Sequence, residues 1–380
     1  MLQPKVDLAV DLCFFIMFGR CLLQKPQYAV NYTLCEQILN STRAGPACAA
    51  RVPWRGGCFM NLHGKDIKVF SGNANPQLAA AIAQNLGLPL GKSHVGEFSD
   101  GEIQVEIFES VRGSDVFIVQ STSQPVNRNL MELLIMVDAI RRASAGCITV
   151  VIPYYGYARQ DRKSRARDPI TAKLVANLIS VAGADRILTM DFHAAQIQGF
   201  FDIPVDHLVG MPILAPYFER RVKNDKALHE NLVVMSPDLG SVNRARTFAE
   251  RLDVPLAIVD KRRPKPNASE IMNIIGEIQG KDVLIVDDMI DTAGTLVNAA
   301  AGVMERGAKS VSACATHAVF SGPAIERLEN SALSELVVLD TIHVPEDRRF
   351  AKLTILSCAP VMAEAISRIY SDKPVSTLFV

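Results

Sequence analysis

Lys281-Asp282-Val283-Leu284-Ile285-Val286-Asp287-Asp288-Met289-Ile290-Asp291-Thr292-Ala293-Gly294-Thr295 is the stretch on which the reading of this chain turns. Residues 283–286 are continuously apolar and mostly β-branched, as in a strand buried on both faces. Asp287 and Asp288 stand at its end. Asp291, Thr292, Ala293, Gly294 and Thr295 then open a helical pattern over 295–306. Small residues let backbone N–H groups converge on an anion, and the helix adds its positive N-terminal end. Thr292 and Thr295 add hydroxyl donors. The two carboxylates upstream are wrong for phosphate but right for sugar hydroxyls or Mg²⁺. A phosphate pocket beside a diol pocket fits a ribose 5-phosphate. An ordinary strand–turn–helix junction, with Asp291 or Thr292 as N-cap, would give part of this pattern. The acidic pair and the buried strand weigh against it.

Outward from this loop, short β-rich runs alternate with helix-length amphipathic segments. The runs are 67–71, 116–119, 148–152, 186–190, 232–236, 256–259, 283–286, 311–316, 336–339 and 353–357. Helical patterns cover 76–86, 127–144, 172–182, 212–226, 242–252, 295–306 and 361–371. This alternation predicts an α/β fold with mainly parallel sheets flanked by helices. Ligands in such sheets bind beyond the carboxyl ends of the strands. Two similar α/β halves are expected, 65–210 and 211–380, divided at Gly210-Met211-Pro212.

The 380 residues carry 40 Lys+Arg against 40 Asp+Glu, a balance that asks for neither nucleic acid nor an anionic membrane. Five of the eight cysteines precede residue 60, with no zinc-type spacing. Cys147, Cys314 and Cys358 are scattered, as in a reduced cytosolic protein. Residues 1–64 form an N-terminal extension outside the pattern. Its apolar stretch 12–18 is shorter than the roughly 20 residues a spanning helix needs. A targeting segment and an upstream stretch with no role in the fold are the two readings. Poor patterning favours the second, with Met60 as the natural start.

Further motifs lie at strand ends. Phe98-Ser99-Asp100-Gly101-Glu102 is a loop whose ring can stack on a base and whose carboxylates can accept hydrogen bonds. In Tyr154-Tyr155-Gly156-Tyr157-Ala158-Arg159-Gln160-Asp161, Arg159 can meet a phosphate or an adenine face and Gln160 an adenine edge. Asp191-Phe192-His193 and Ser236-Pro237-Asp238 end two more strands. Lys261-Arg262-Arg263-Pro264-Lys265-Pro266 is cationic or proline throughout, a poor helix or strand and a loop able to fold over a polyphosphate.

Taken together and in order, these motifs resemble the ribose-phosphate diphosphokinases, also called phosphoribosyl pyrophosphate (PRPP) synthetases. The resemblance runs from about Lys65 to the end. It implies two type I phosphoribosyltransferase-like domains and transfer of a diphosphoryl group from Mg²⁺–ATP to ribose 5-phosphate. It implies ATP contacts for Phe98, Asp100, Gly101, Glu102, Arg159 and Gln160, the first four reaching in from a neighbouring subunit. His193 and Asp238 would hold Mg²⁺, and Lys261 and Arg263 would meet the transferred charge. Asp287, with or without Asp288, would hold the ribose diol, and Asp291–Thr295 the 5-phosphate. The resemblance further implies a dimer-based hexamer with phosphate and ADP as effectors. Ser110, Arg112, Arg167 and Ser321 match its inter-subunit anion site. The spacing from His193 to Asp238 is a few residues longer than the family's, within a predicted helix and loop. A plain phosphoribosyltransferase would share the 291–295 loop without the ATP-side motifs. A regulatory relative would be expected to lack Lys261, Arg263, His193 or Asp291. A nucleic-acid-binding regulator sits poorly with zero net charge.

Overall fold

The computed structural model describes residues 66–262 and 271–378, all within one compact unit, Arg55–Val380. Side chains are described for these residues except 261, 262, 271 and 272. The expectations placed on the extension and on Arg263 lie outside the described residues.

The chain enters through β1 (Ile67–Ser71) and α1 (Pro76–Asn85), then forms a hairpin of β2 (Ser93–Glu97) and β3 (Ile103–Ile107). β4 (Asp115–Val119), α2 (Val126–Arg142), β5 (Cys147–Ile152), α3 (Thr171–Ala182), β6 (Arg186–Met190) and β7 (Val205–Leu208) follow. The resulting sheet has the order β1-β4-β5-β6-β7 and is parallel throughout. β4 and β5 are buried along their whole length, which is why they read as unbroken apolar runs.

The second half comprises α4 (Met211–Asn224), α5 (Lys226–Asn231), β8 (Leu232–Ser236), α6 (Val242–Leu252), β9 (Leu256–Arg262) and β10 (Ile271–Ile275). It continues through β11 (Asp282–Ile290), α7 (Gly294–Glu305), β12 (Ser310–Ala318), α8 (Ala324–Glu329), β13 (Glu335–Leu339), β14 (Leu353–Leu356) and α9 (Ala359–Tyr370). The sheet order is β10-β9-β8-β11-β12-β13-β14, with every pair parallel except the antiparallel edge β10–β9. The α/β class with mainly parallel sheets is the expected one.

One apolar core joins the two sheets. Val69, Leu78 and Ile82 share it with Leu284, Val337 and Met362, because α9 packs on α1. Polar ties cross the same seam. Asn75 caps α1 by accepting from the Leu78 N–H at 3.1 Å and donates through Nδ2 to the Asp340 carbonyl at 2.7 Å. Ser121 Oγ donates to the Thr341 carbonyl at 2.6 Å. Strand ends from both sheets are thereby held at one place.

Three expectations change. β11 does not stop at Val286. Its pairing with β12 continues through Asp287↔Ala315 to Ile290↔Ala318, so the acidic pair lies inside a strand. β9 runs on to Arg262 because β10 pairs with it at Ile271↔Arg262 and Met272↔Lys261, so the basic run begins as strand rather than loop. Cys314 and Cys358 are free and buried, but Cys147 is disulfide-bonded, against the expectation of reduced thiols throughout. The long His193–Asp238 spacing is taken up by α4 and the short α5. Among the described residues, no helix is long and apolar enough to cross a membrane.

Candidate active site

A cavity of about 1130 Å³ opens beyond the carboxyl ends of β6, β8 and β11. Parallel sheets place their ligand crevices at that end. Of the expected site residues, Arg159, His193, Asp238, Asp287, Asp288, Asp291, Thr292, Ala293, Gly294 and Thr295 all line it.

The 291–295 loop owes its shape to Ala293. This residue is the N-cap of α7 in a left-handed conformation, φ 60° and ψ 0°. A non-glycine residue there carries a steric cost, and such outliers gather at ligand clamps. A left-handed residue entering a helix is the backbone pattern from which anion nests are built. The cap is Ala293 rather than Asp291 or Thr292, and no side chain bonds to the first turn of α7. The first-turn N–H groups thus have no capping side chain as acceptor. Arg327 Nη1, on α8, donates to the Thr292 carbonyl at 2.9 Å and braces the loop from behind.

The acidic pair is differentiated. Ser241 Oγ donates to Asp287 Oδ1 at 2.9 Å, and the Asp288 N–H donates to the same oxygen at 2.9 Å. Asp288 Oδ2 bonds to His193 Nδ1 at 2.7 Å, and Arg244 Nη1 stands 3.8 Å from Asp288 Oδ1. Burial, joined by the charge of Asp288, raises the Asp287 carboxyl. Burial pushes Asp288 the same way, but the hydrogen bond from His193 and the charge of Arg244 outweigh it and hold that carboxyl low. The His193 imidazole is raised in turn by its bond to Asp288. Asp288 is thus engaged with His193 and Arg244, and Asp287 is the member with weaker protein partners.

Arg159 is ion-paired with Asp291 across the cavity. It is delivered there by a rigid segment. Tyr155 is buried and donates its hydroxyl to the Ala172 carbonyl at 2.8 Å, and the Gly156 N–H donates to Thr122 Oγ1 at 2.6 Å. Burial lowers the Arg159 guanidinium, but the Asp291 hydrogen bond and charge more than offset this and raise it. Gln160 is turned aside, its side-chain oxygen accepting from Thr171.

Other expected residues lie elsewhere in this chain. Phe98, Asp100, Gly101 and Glu102 form the tip of the β2–β3 hairpin and do not line the cavity. The tip is closed by bonds from the Phe98 N–H to the Glu102 carbonyl (2.8 Å) and from the Gly101 N–H to the Phe98 carbonyl (2.9 Å). Phe98 is 52% exposed. Lys261 sits on the last turn of backbone pairing in β9, and its side chain is not described. Ser110, Arg112 and Arg167 are exposed and lie outside the cavity. Ser321 instead adjoins the phosphate loop, its N–H donating to the Asp291 carbonyl at 3.0 Å.

Several residues of the site escaped sequence reasoning. Arg244 and Ser241 follow Asp238 at the start of α6. A cation in a helix's first turn opposes the macrodipole, and that was a readable signal. Asp191 stands at a strand end beside His193 in the sequence reading, without a role there. It accepts from the Gly210 N–H at 2.9 Å and from Thr316 Oγ1, while His317 Nε2 donates to its carbonyl at 3.0 Å. A Cβ at Gly210 would lie 2.5 Å from Thr316 Oγ1, so only glycine fits that seam.

His193 and Asp238 each keep one further donor atom. His193 Nδ1 is taken by Asp288, and Asp238 Oδ1 by the Ser241 N–H at 2.9 Å. A carboxylate behind an imidazole is the usual support of a metal-binding histidine. Among the described residues, no group of three or more His, Cys, Asp or Glu is arranged to hold a metal. The donors fit a hard cation that keeps waters and arrives with phosphate oxygens, the habit of Mg²⁺, rather than a protein-caged metal.

Fold and cavity together define an α/β protein in which an acidic pair and the 291–295 loop meet at the strand ends. Residues 67–183 match the family model described as the N-terminal domain of ribose phosphate pyrophosphokinase, and residues 261–380 the phosphoribosyl synthetase-associated domain. The chain is 64% identical over 320 residues to a ribose-phosphate pyrophosphokinase of Clostridium perfringens, covering 84% of this chain and 99% of that one. It is 62% identical over 315 residues to that of Clostridium tetani, covering 83% and 98%. The crystal structure of phosphoribosylpyrophosphate synthetase from Mycobacterium smegmatis superposes with a TM-score of 0.76 at 43% identity, over 81% of this chain and all of that one. The chain belongs to the ribose-phosphate pyrophosphokinase family.

Proposed function

We propose that this chain catalyses the reaction of ATP with ribose 5-phosphate to give PRPP and AMP, feeding nucleotide biosynthesis. The observation that carries the reading is the convergence of the 291–295 nest, the 287–288 carboxylates, His193, Asp238 and Arg159 on one cavity. In the reaction, the ribose C1 hydroxyl oxygen bonds to the β-phosphorus of ATP. The bond from that phosphorus to the α,β-bridging oxygen breaks, and AMP leaves with the oxygen. Such a transfer asks little covalent chemistry of the protein and much positioning and charge neutralisation.

Each residue then has a task. N–H groups of 292–295, with the hydroxyls of Thr292 and Thr295, hold the 5-phosphate. Asp287 accepts from the ribose diol, while Asp288 chiefly orients His193. Arg159 holds ATP, with Gln160 joining it once its side chain leaves Thr171, and Phe98, Asp100, Gly101 and Glu102 come from a neighbouring subunit. That assignment accounts for a hairpin tip standing clear of its own cavity. Lys261 and Arg263 meet the charge on the transferred group. His193 and Asp238 would hold Mg²⁺, which when bound neutralises polyphosphate charge. No side chain is singled out as general base.

The same reading extends to a dimer-based homohexamer in the cytoplasm. Phosphate and ADP would act at an anion site made by Ser110, Arg112, Arg167 and Ser321 of different subunits. Neither nucleic acid nor membrane is a partner. One assay tests the core of it: AMP release from ATP and Mg²⁺ with and without ribose 5-phosphate. The expected result is AMP formation that requires the sugar phosphate, and AMP release indifferent to it overturns the reading.

A further inference from the structure

Glu132, on α2, is fully buried and lies outside the cavity. A buried carboxylate is costly unless its oxygens are satisfied, and here the partners are specific. Oε2 accepts from the Asn73 N–H at 3.1 Å and from Gln120 Nε2 at 2.9 Å. Oε1 accepts from Asn73 Nδ2 at 3.0 Å and from Arg128 Nε at 3.3 Å. Two of these donors also reach β2. Asn73 Nδ2 lies 3.0 Å from the Val95 carbonyl, and Arg128 Nε lies 3.0 Å from Glu97 Oε1. Glu97 is the last residue of β2, and Phe98 follows it.

The hairpin needs such ties. β2 and β3 form a two-stranded sheet of their own, paired with neither large sheet. A lone hairpin is marginal in water and depends on packing. Its apolar face, Val95, Val105 and Ile107, rests on the core of the first half. That contact is non-directional and leaves the angle of the tip loosely set. Glu132 is buried and held by Asn73 and Gln120, and Arg128 is a charged link from it to the base of the tip. Their line therefore fixes where the tip points.

We propose that Arg128 and Glu132 are positioning residues for ATP binding, forming a strut that aims the Phe98–Glu102 tip. The inference rests on the reading of that tip as an ATP-binding element. An ion pair of this exposure is worth at most about fivefold in an equilibrium constant.

The test uses the full-length enzyme in its native assembly. Arg128→Met should raise KM for ATP about two- to fivefold, leaving kcat and KM for ribose 5-phosphate unchanged. Amide exchange in β2 and β3 should quicken while α3 is unchanged, and Arg128→Lys should restore most of the ATP affinity. Glu97→Gln cuts the same tether from the partly exposed side and should repeat the pattern even if Arg128→Met folds poorly. Phe98→Ala separates the two ideas. If it raises KM for ATP while Arg128→Met and Glu97→Gln do not, the strut is wrong and the ATP reading of the tip stands. If Phe98→Ala leaves KM for ATP unchanged, the ATP reading falls and the strut's proposed role falls with it. Equal rises in both KM values with a lowered Tm would mean general packing and also overturn the proposal.

Discussion

Arg159 and Asp291 are ion-paired across the cavity, joining the segment after β5 to the 291–295 loop after β11. The proposed function gives the two residues to different substrates, and their pairing would then couple the two halves of the site. Arg159→Ala should therefore weaken ATP binding and also change KM for ribose 5-phosphate, through an Asp291 left without its cation. A cycle of Arg159→Ala and Asp291→Ala should show a coupling of about 0.5–1.5 kcal/mol in ribose 5-phosphate binding. Strict additivity would mean that the pair does not tie the two subsites. Asp291→Ala alone should raise KM for ribose 5-phosphate, and an unchanged KM would count against the loop assignment.

Lys261 stands where a β9–β10 ladder gives way to the cationic run beyond it. A cation that meets charge developing in the transferred group acts mainly in the transition state. Losing one such donor lowers kcat by roughly 10²–10³. Lys261→Ala is expected to do at least that with small changes in KM. A large rise in KM at near-normal kcat would assign Lys261 to ground-state binding instead.

Much of this was legible in the sequence, and the failures have physical causes. Buried parallel strands such as Cys147–Ile152 announce themselves because both faces are apolar. β2 (Ser-His-Val-Gly-Glu) and the edge strand β10 have one face in water or only one neighbour, and their signal is weak. Asp287 and Asp288 look like a strand's end because carboxylates are rare in a buried ladder. Backbone pairing with Ala315 and His317 nevertheless carries the strand past them. That the 291–295 loop, His193 and Asp238 would lie at strand ends around one cavity was readable because they follow strands directly. Arg244 and Arg327 act on the loop region from α6 and α8, and only the packing of those helices brings them there. Arg244 leaves a trace as a cation in a helix's first turn, but no sequence pattern says where α6 and α8 pack.

Ala293 holds a left-handed φ of 60° while 5% exposed. That backbone state costs an ordinary residue roughly 1–2 kcal/mol, and a β-branched one more. Ala293→Gly should lift the strain and lose a buried methyl worth about 0.8 kcal/mol, so Tm should stay within a few degrees. Ala293→Val should both lower Tm and raise KM for ribose 5-phosphate, since the N–H groups of the nest turn away with the backbone. Calorimetry and initial rates on the two variants read this directly. Unchanged ribose 5-phosphate affinity in the valine variant would show that the left-handed turn does not shape the pocket.

His317 is buried at the seam, its Nε2 proton given to the Asp191 carbonyl and its Nδ1 2.9 Å from Thr341 Oγ1. Burial lowers this imidazole below its ordinary pKa, and burial also lowers His207. The sign follows from linkage. Below about pH 6.5 the unfolded chain takes up a proton that folded His317 refuses, so stability falls as pH drops through that point toward the depressed folded value. Above about pH 6.5 both states are neutral and His317 adds no pH dependence. One such group contributes a slope of at most about 1.4 kcal/mol per pH unit. Tm measured between pH 5 and 8 (roughly the span in which histidine titrates) should decline on the acid side in the wild type. His317→Gln should lower Tm at pH 8 by removing a seam bond, yet decline less steeply below pH 6.5. Parallel Tm curves for the two proteins would mean that His317 takes up a proton in the folded state as readily as in the unfolded chain, contrary to its burial.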